Sequence, residues 1–343
     1  MAGEIRIPHK RLVGAIARAL TEAGVPANVA AIEAGVMAEA DLHGVPSHGI
    51  RMLPALLQGI REGRVPAHPK IKIIRERPAS CVIDGGNGPA RFVCVQAMEF
   101  AVERARRMGV GACLAARVTH WGRAHAYACR AAQAGMIGIC TTNAIPNMVA
   151  WGSSRPLLGN NPLAIAAPRG PGREPIVLDM AMSQAAMGKI GTYLREGRKA
   201  PANWGLDADG KPSDDPAAIL AARRILPFGD HKGAGLALMM ELLTGALSGG
   251  LFSGEIAQGD ASGLDSGSSK LFLALDLAAF TDPAHFARRV EELIAWLRQA
   301  EPGLEITLPG EHGWQARERN LAVGIPIHAE IVAQLEQAGV RLE

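Results

Sequence analysis

The sequence predicts an α/β protein with helices packed against a sheet, and three observations predict it. Segments with helical apolar spacing alternate with short apolar runs of strand length from about residue 69 to 279. Forty glycines and many alanines suit close backbone packing. Aromatic residues are only 4% of the chain against 48% hydrophobic, so the core is aliphatic.

The elements follow in order. Leu12, Ile16, Leu20 and then Val29, Ile32, Val36 mark two helices, with Pro26 at the start of the second and Gly44 just past its end. A third helix is expected from Ser47 through Ile60, stopping near Gly63. The pattern changes at Pro69. Strands are expected over Lys70–Ile74, Ala79–Ile83, Gly109–Ala116, Met136–Thr142, Leu163–Ala167, Ile176–Asp179 and Leu271–Leu277. Helices are expected over Val95–Arg107, Arg123–Ala134, Gln184–Gly197 and Gly233–Leu247, with Pro283–Gln299 and Ile327–Ala338 closing the chain. Lys199–Pro216 and Phe252–Ser269 read as loops. The expected division is a helical domain from both termini, 1–68 with 280–343, and an α/β domain, 69–279.

Composition narrows the function classes. A formal charge of +3 with scattered lysine and arginine gives no nucleic-acid footprint. The amino terminus has no apolar signal core, and no stretch of membrane-spanning length occurs, so neither export nor a membrane is expected and the cytoplasm is. The five cysteines, an odd number without a CxxC or a metal-like spacing, read as small core residues. GxxxxGK[ST], HExxH and GxSxG are missing, as is a GxGxxG after the first strand; Asp84-Gly85-Gly86-Asn87-Gly88 does not fit that spacing.

Four segments carry more polar chemistry than a core needs. Ser47 is a good N-cap, and His48 and Arg51 lie three apart, so both can face one way. That is a carboxylate pocket or a capped helix with two solvated side chains. His120 follows an apolar strand and precedes a helix, where a histidine can act as general acid or base or simply be a hydrogen-bonded structural residue. His125, inside that helix, reads as structural. Thr142, Asn143 and Ala144, with Asn161 in Gly159-Asn160-Asn161-Pro162 and with Asp179-Met180-Ala181, put small and polar residues at strand ends; such ends admit a flat ligand or are ordinary turns. His231-Lys232-Gly233 opens an apolar helix, and free amides there plus one lysine suit a pyrophosphate, or a solvated lysine on a glycine-rich loop.

Together and in order these segments resemble the malate/L-lactate dehydrogenase type-2 family, over about residues 8 to 340. The carrying motifs are Ala40-Asp41-Leu42-His43-Gly44-Val45-Pro46-Ser47-His48-Gly49, His120, Leu158-Gly159-Asn160-Asn161-Pro162 through Pro168, Asp179-Met180-Ala181, Gly188-Lys189 and His231-Lys232-Gly233. The resemblance implies a non-Rossmann, mixed-sheet fold holding NAD or NADP, a homodimer or larger assembly, and a small 2-oxo or 2-hydroxy acid substrate. It implies His120 as proton donor and acceptor. It places His48 and Arg51, with Ser47, at the substrate, where Thr142 and Asn161 are also expected. It implies cofactor contacts from Asn143, Ala144, Asp179, Met180, Ala181, Lys189, His231 and Lys232, and no metal. Ala144, Ala234 and Met182 depart from the serine, tyrosine and threonine usual in the family. Two other readings stay open: a cyclic imine reductase acting on a ring C=N beside a carboxylate, and a relative that binds cofactor without turnover.

Overall fold

The computed structural model describes residues 3–256, 264–300 and 303–342. The chain opens with β1 (Glu4–Ile7), α1 (His9–Glu22), α2 (Ala27–Leu42) and α3 (Leu53–Arg61). Next come β2 (Lys72–Arg77), β3 (Ser80–Asp84), α4 (Ala90–Met108), β4 (Val110–Val118), α5 (His125–Gln133), β5 (Met136–Thr142), β6 (Met148–Val149), β7 (Pro156–Leu158), β8 (Leu163–Ala167) and β9 (Ile176–Met180). The rest is α6 (Met187–Arg195), β10 (Gly205–Leu206), α7 (Pro216–Ala222), β11 (Arg224–Ile225), α8 (His231–Glu241), β12 (Ser268–Asp276), α9 (Pro283–Gln299), α10 (Glu311–Val323), β13 (Ile325–His328) and α11 (Ala329–Gln337). Among the described residues no helix is long and apolar enough to cross a membrane.

The main sheet has the order β2-β3-β4-β12-β5-β8-β9. Only β3 and β4 run parallel; every other neighbouring pair is antiparallel. Helices α4 and α5 cover it, and Val93, Ala97, Met98, Ala101, Tyr127, Ala128 and Phe272 fill the space between. The close fit needs small residues: a Cβ on Gly111 would fall 1.9 Å from the Ala101 carbonyl oxygen. All five cysteines are free and buried.

A second core joins α1, α2 and α3 to the other end of the chain. Leu12, Ile16, Leu20, Met37 and Leu57 pack there with Ile325, Ile327 and Leu335. β1 pairs antiparallel with β13, which stitches the termini together. Helix α2 touches both cores, through Val29, Ala34 and Met37 on one side and Val36 on the other. Helix α9 leans the other way, its Glu291 held by Arg169 at 2.8 Å.

Several elements differ from the sequence expectation. The third helix is not continuous from Ser47. Two 3-10 turns, Pro46–His48 and Ile50–Met52, precede α3. Pro54 in the first turn of α3 explains this, because proline supplies no amide and is tolerated only at a helix start. The expected loop over 199–216 carries β10, and Pro216 begins α7 behind an Asp215 cap. Helix α8 gives way to a π-helical turn at Leu242–Ala246. The short strands β1, β6, β7 and β11 and helix α10 carry too little periodic signal to be read from sequence, and β13 takes the first residues of an expected helix. Part of the expected loop over 252–269, residues 257–263, lies outside the described residues.

Candidate active site

The two 3-10 turns place Ser47 and His48 beside the end of β4. Ser47 is not an N-cap; its hydroxyl instead meets His48 Nδ1 at 2.8 Å. The turn is held by Asp41, whose Oδ2 accepts the Ile50 amide at 2.6 Å. The carboxylate presses on Gly49, where any Cβ would lie 2.1 Å from it. Glycine at 49 is therefore a steric requirement of the Ser47-His48 turn. Arg51 is on the exposed side of the same turn.

His120 follows β4 directly. Its ring lies 5.9 Å from the His48 ring at an angle of 27°. Its amide donates to the Leu264 carbonyl at 2.6 Å, and its Nδ1 accepts the Gly122 amide at 3.2 Å. An accepting Nδ1 puts the proton of the neutral ring on Nε2. Trp121 and Tyr127 stack behind it at 5.2 Å, with the Tyr127 hydroxyl donating to the Trp121 carbonyl.

Burial and nearby cations keep both imidazoles neutral. His48 is pushed down to about 4, chiefly by burial, with Asp179 opposing and Arg123, Arg91 and Arg51 adding to the shift. His120 is held well below the usual histidine range, first by burial and then by His48, Arg91 and Lys270. Asp41 is raised to about 7 by burial, opposed by the Ile50 amide and by Arg91 and Arg51. Arg91 itself is buried on Glu33 at 3.4 Å, and its Nε and Nη2 find no partner among the described residues.

The segments expected at a cofactor come together in space. The Phe228 amide donates to the Met182 carbonyl at 3.0 Å, and the Met182 amide to Asn160 at 2.8 Å. Gly233 packs on both Met182 and Phe228, with no room for a Cβ. Asp179 accepts from Arg123 Nε at 2.7 Å, which commits one of its oxygens. Lys232 and His231 are exposed at the start of α8, and His231 lies edge-on to Trp151. Among the described residues no carboxylate pairs with Lys232. The amides of Lys232, Gly233 and Ala234 already donate to Gly229, Phe228 and Asp230, so the expected run of free amides at this helix start is not there. Met180 and Ala181 are half-buried on the same seam. Gly188 of α6 abuts Ser47, while Lys189 beside it turns its ammonium over Trp204 at 5.0 Å.

Three expected contact residues have their side chains engaged inside the protein. Asn143 Nδ2 donates to the Leu251 carbonyl at 2.7 Å, and its Oδ1 accepts from Ser269. Asn161 donates to Glu241 at 2.7 Å and accepts the Ala144 amide at 3.1 Å. Thr142 donates to the Asn143 or Ser269 carbonyl. These residues shape the seam through their backbone, with Ala144 buried beside them. Sequence reading missed Asp41, Arg91, Glu241 and Lys270. A lysine interrupting the apolar row of β12 was a legible signal; the buried Glu241, inside a helix read as apolar, was a weaker one.

The malate/L-lactate dehydrogenase family model matches residues 7–336. A malate dehydrogenase of Pyrococcus horikoshii is 35% identical over 98% of this chain and 96% of its own; its solved structure superposes with a TM-score of 0.89. An L-sulfolactate dehydrogenase of Methanocaldococcus jannaschii is 39% identical over 85% of this chain and 84% of its own. Its structure gives a TM-score of 0.90 over 98% of both chains. A Δ1-pyrroline-2-carboxylate/Δ1-piperideine-2-carboxylate reductase of Pseudomonas syringae is 33% identical over 96% of this chain and 95% of its own.

Proposed function

The chain belongs to the malate/L-lactate dehydrogenase family and is an oxidoreductase, and from that premise we propose that it interconverts a small 2-hydroxy acid and its 2-oxo acid with NAD or NADP. The observation that carries this reading is the half-buried His48–His120 pair at the end of β4, at 5.9 Å. A relative from Chromohalobacter salexigens is named for NADP(+), which supports a nicotinamide dinucleotide here without choosing between the two. The mostly antiparallel sheet and the missing glycine fingerprint support a non-Rossmann way of holding it.

The residues present fit such a cofactor. Lys232 has no carboxylate partner among the described residues and suits a phosphate, and the seam of Thr142–Ala144, Asp179–Ala181 and His231–Lys232 offers backbone and small side chains to a flat group. The bound nicotinamide supplies or accepts the hydride. His120 protonates the oxygen on C2 in reduction and takes the proton back in oxidation. Because its resting Nδ1 accepts the Gly122 amide, that contact has to open so that Nδ1 can hold the second proton; the Nε2 proton then goes to the oxygen on C2 in reduction, which leaves Nε2 free to take a proton back in oxidation. His48 orients the substrate, its Nδ1 held by Ser47. Arg51 takes the substrate carboxylate. Its proton affinity is lowered first by burial and then by Arg195, and an anion between two guanidinium groups relieves their repulsion.

The cyclic imine reading is supported by the Pseudomonas syringae relative. Both are tested by following nicotinamide absorbance with NADH and NADPH against pyruvate, oxaloacetate, sulfopyruvate, 2-oxoglutarate and Δ1-piperideine-2-carboxylate. Turnover of an open-chain acid supports the main reading; turnover of the imine alone replaces it. Cofactor binding without turnover on any of them leaves a substrate outside this panel or a non-catalytic relative.

The division into 1–68 with 280–343 and 69–279 is part of the same proposal; the core that joins residues 7–65 to 325–340 supports it, whereas α9 leans on Arg169 and a third core, with Met182, Ile190 and Trp204, lies within 148–240. So is assembly into a homodimer or larger, in the cytoplasm. Helix α8 and its π turn expose Leu238, Met239, Leu242 and Leu247, an apolar ridge that a partner copy would cover.

A further inference from the structure

Lys270 stands in the row of β12 shared by Phe272 and Ala274, whose side chains lie in the sheet core. It is 1% exposed. A buried ammonium costs free energy unless it is hydrogen-bonded and serves a purpose. Its Nζ donates to Thr142 Oγ1 at 3.0 Å and to Ser268 Oγ at 2.7 Å, and lies 5.5 Å from the centre of the Trp121 ring. Ser268 in turn donates to the Val118 carbonyl at 2.9 Å. The lysine thus grips the chain on both sides of His120, at Val118 and at Trp121, and ties it to the end of β5. Ser268 and Lys270 are two apart on β12, so their side chains share one face of the strand, and the register irregularity between them does not separate them.

We infer that Lys270 is a positioning residue for His120: it clamps the Val118–Trp121 segment against β5 and holds a positive charge behind the imidazole. The inference rests on His120 being the acid and base of the reaction proposed above.

The charged groups around the pair come from several elements. His120 faces His48 from the 3-10 turn, Arg91 from α4 with its partner Glu33 from α2, and Lys270 from β12. Lys270 faces Cys94 of α4 and Asp265 of the segment before β12. Asp179 and Arg123 face His48. Burial lowers Lys270 to about 8, against the pull of Cys94 and Asp265. The charge on Lys270 fades as pH rises through 8.

Lys270→Met tests this, because it keeps length and removes charge. It strands no donor: Ser268 still donates to Val118, and Thr142 still donates to the Asn143 or Ser269 carbonyl. The readout is the titration midpoint of His120 by ring NMR on the full chain, alongside the pH profile of kcat/KM in reduction. The midpoint is expected to rise by about one unit, the effect of one nearby charge, and the alkaline fall of kcat/KM to move up with it. Lost activity with an unmoved midpoint overturns the inference, since a structural lysine would do that. If Lys270→Met does not fold, Lys270→Arg carries the test: a charge that persists keeps the midpoint within a few tenths of wild type, and a shift of a full unit overturns the inference. A moved midpoint in a protein whose His120→Ala variant keeps its turnover would instead sink the acid–base reading.

Discussion

Two pairs of histidines arise from the same two stretches of chain, five residues apart in each, and the fold gives them opposite surroundings. His43 and His125 meet at 4.6 Å under Trp314, each at most 3% exposed. His48 and His120 meet at 5.9 Å, half-buried, beside Asp179, Arg91 and Lys270. All four are held well below the usual histidine range, His43 to about 3 and His125 to about 2, with burial as the first cause. A lowered proton affinity therefore does not distinguish working histidines from structural ones. The difference lies in access: Trp314 helps seal one pair, which has Glu39, Arg123 and Arg317 nearby, while the other is only half-buried.

That comparison can be broken. The largest expected effect is His120→Ala, which should cut turnover by about a hundredfold or more with little change in Tm and with cofactor binding intact. His125→Ala should do the reverse, lowering Tm while the folded enzyme keeps turnover within a fewfold. Equal kinetic damage from both variants would erase the distinction. Arg51→Ala should next raise KM for the oxo acid about tenfold or more while changing kcat less, measured by steady-state kinetics. A change in kcat alone would remove Arg51 from the carboxylate. Gly49→Ala pushes a methyl onto Asp41 and should cost about 1–3 kcal/mol in denaturant unfolding, and activity falls with it because the His48 turn moves.

The smallest effect is the pH dependence of stability, and its sign separates the groups. The sealed pair is neutral when folded and binds protons more readily when unfolded. Its contribution is complete above pH 6.5 and is lost as pH falls from there toward about 3. Asp41 runs the other way: its folded value is raised to about 7, so its contribution is present below its ordinary 3.8 and declines as pH climbs to 7. Asp41→Asn should therefore raise Tm at pH 8 relative to pH 5 while lowering turnover. A Tm gain at pH 5 as large as at pH 8 would remove the charge from the explanation.

Much of this was legible in the sequence and some was not. The strands Met136–Thr142 and Leu163–Ala167 and the helix Pro283–Gln299 stand where the apolar pattern and the flanking glycine and proline put them. His48 and His120 could be singled out by their place at element ends, but that they face each other is a tertiary fact. Asn143 and Asn161 looked like ligand contacts because polar residues at strand ends often are. The structure spends their amides on Glu241, far along the chain, which no local pattern signals. That the amides around Lys232 are engaged was hidden for a related reason: whether an amide is free depends on the backward turn at Asp230, with its φ of 57°.

The strand that completes the sheet arrives late. β12 inserts between β4 and β5, yet some 126 residues separate the end of β5 from its start. During synthesis β4 and β5 wait with unpaired edges facing one another until residue 276 has left the ribosome. Folding of this half is therefore dominated by long-range pairing and should be slow, with the open edges as its exposure to aggregation. Any chain cut before residue 268 would carry both histidines and still lack the strand that brings their surroundings into register.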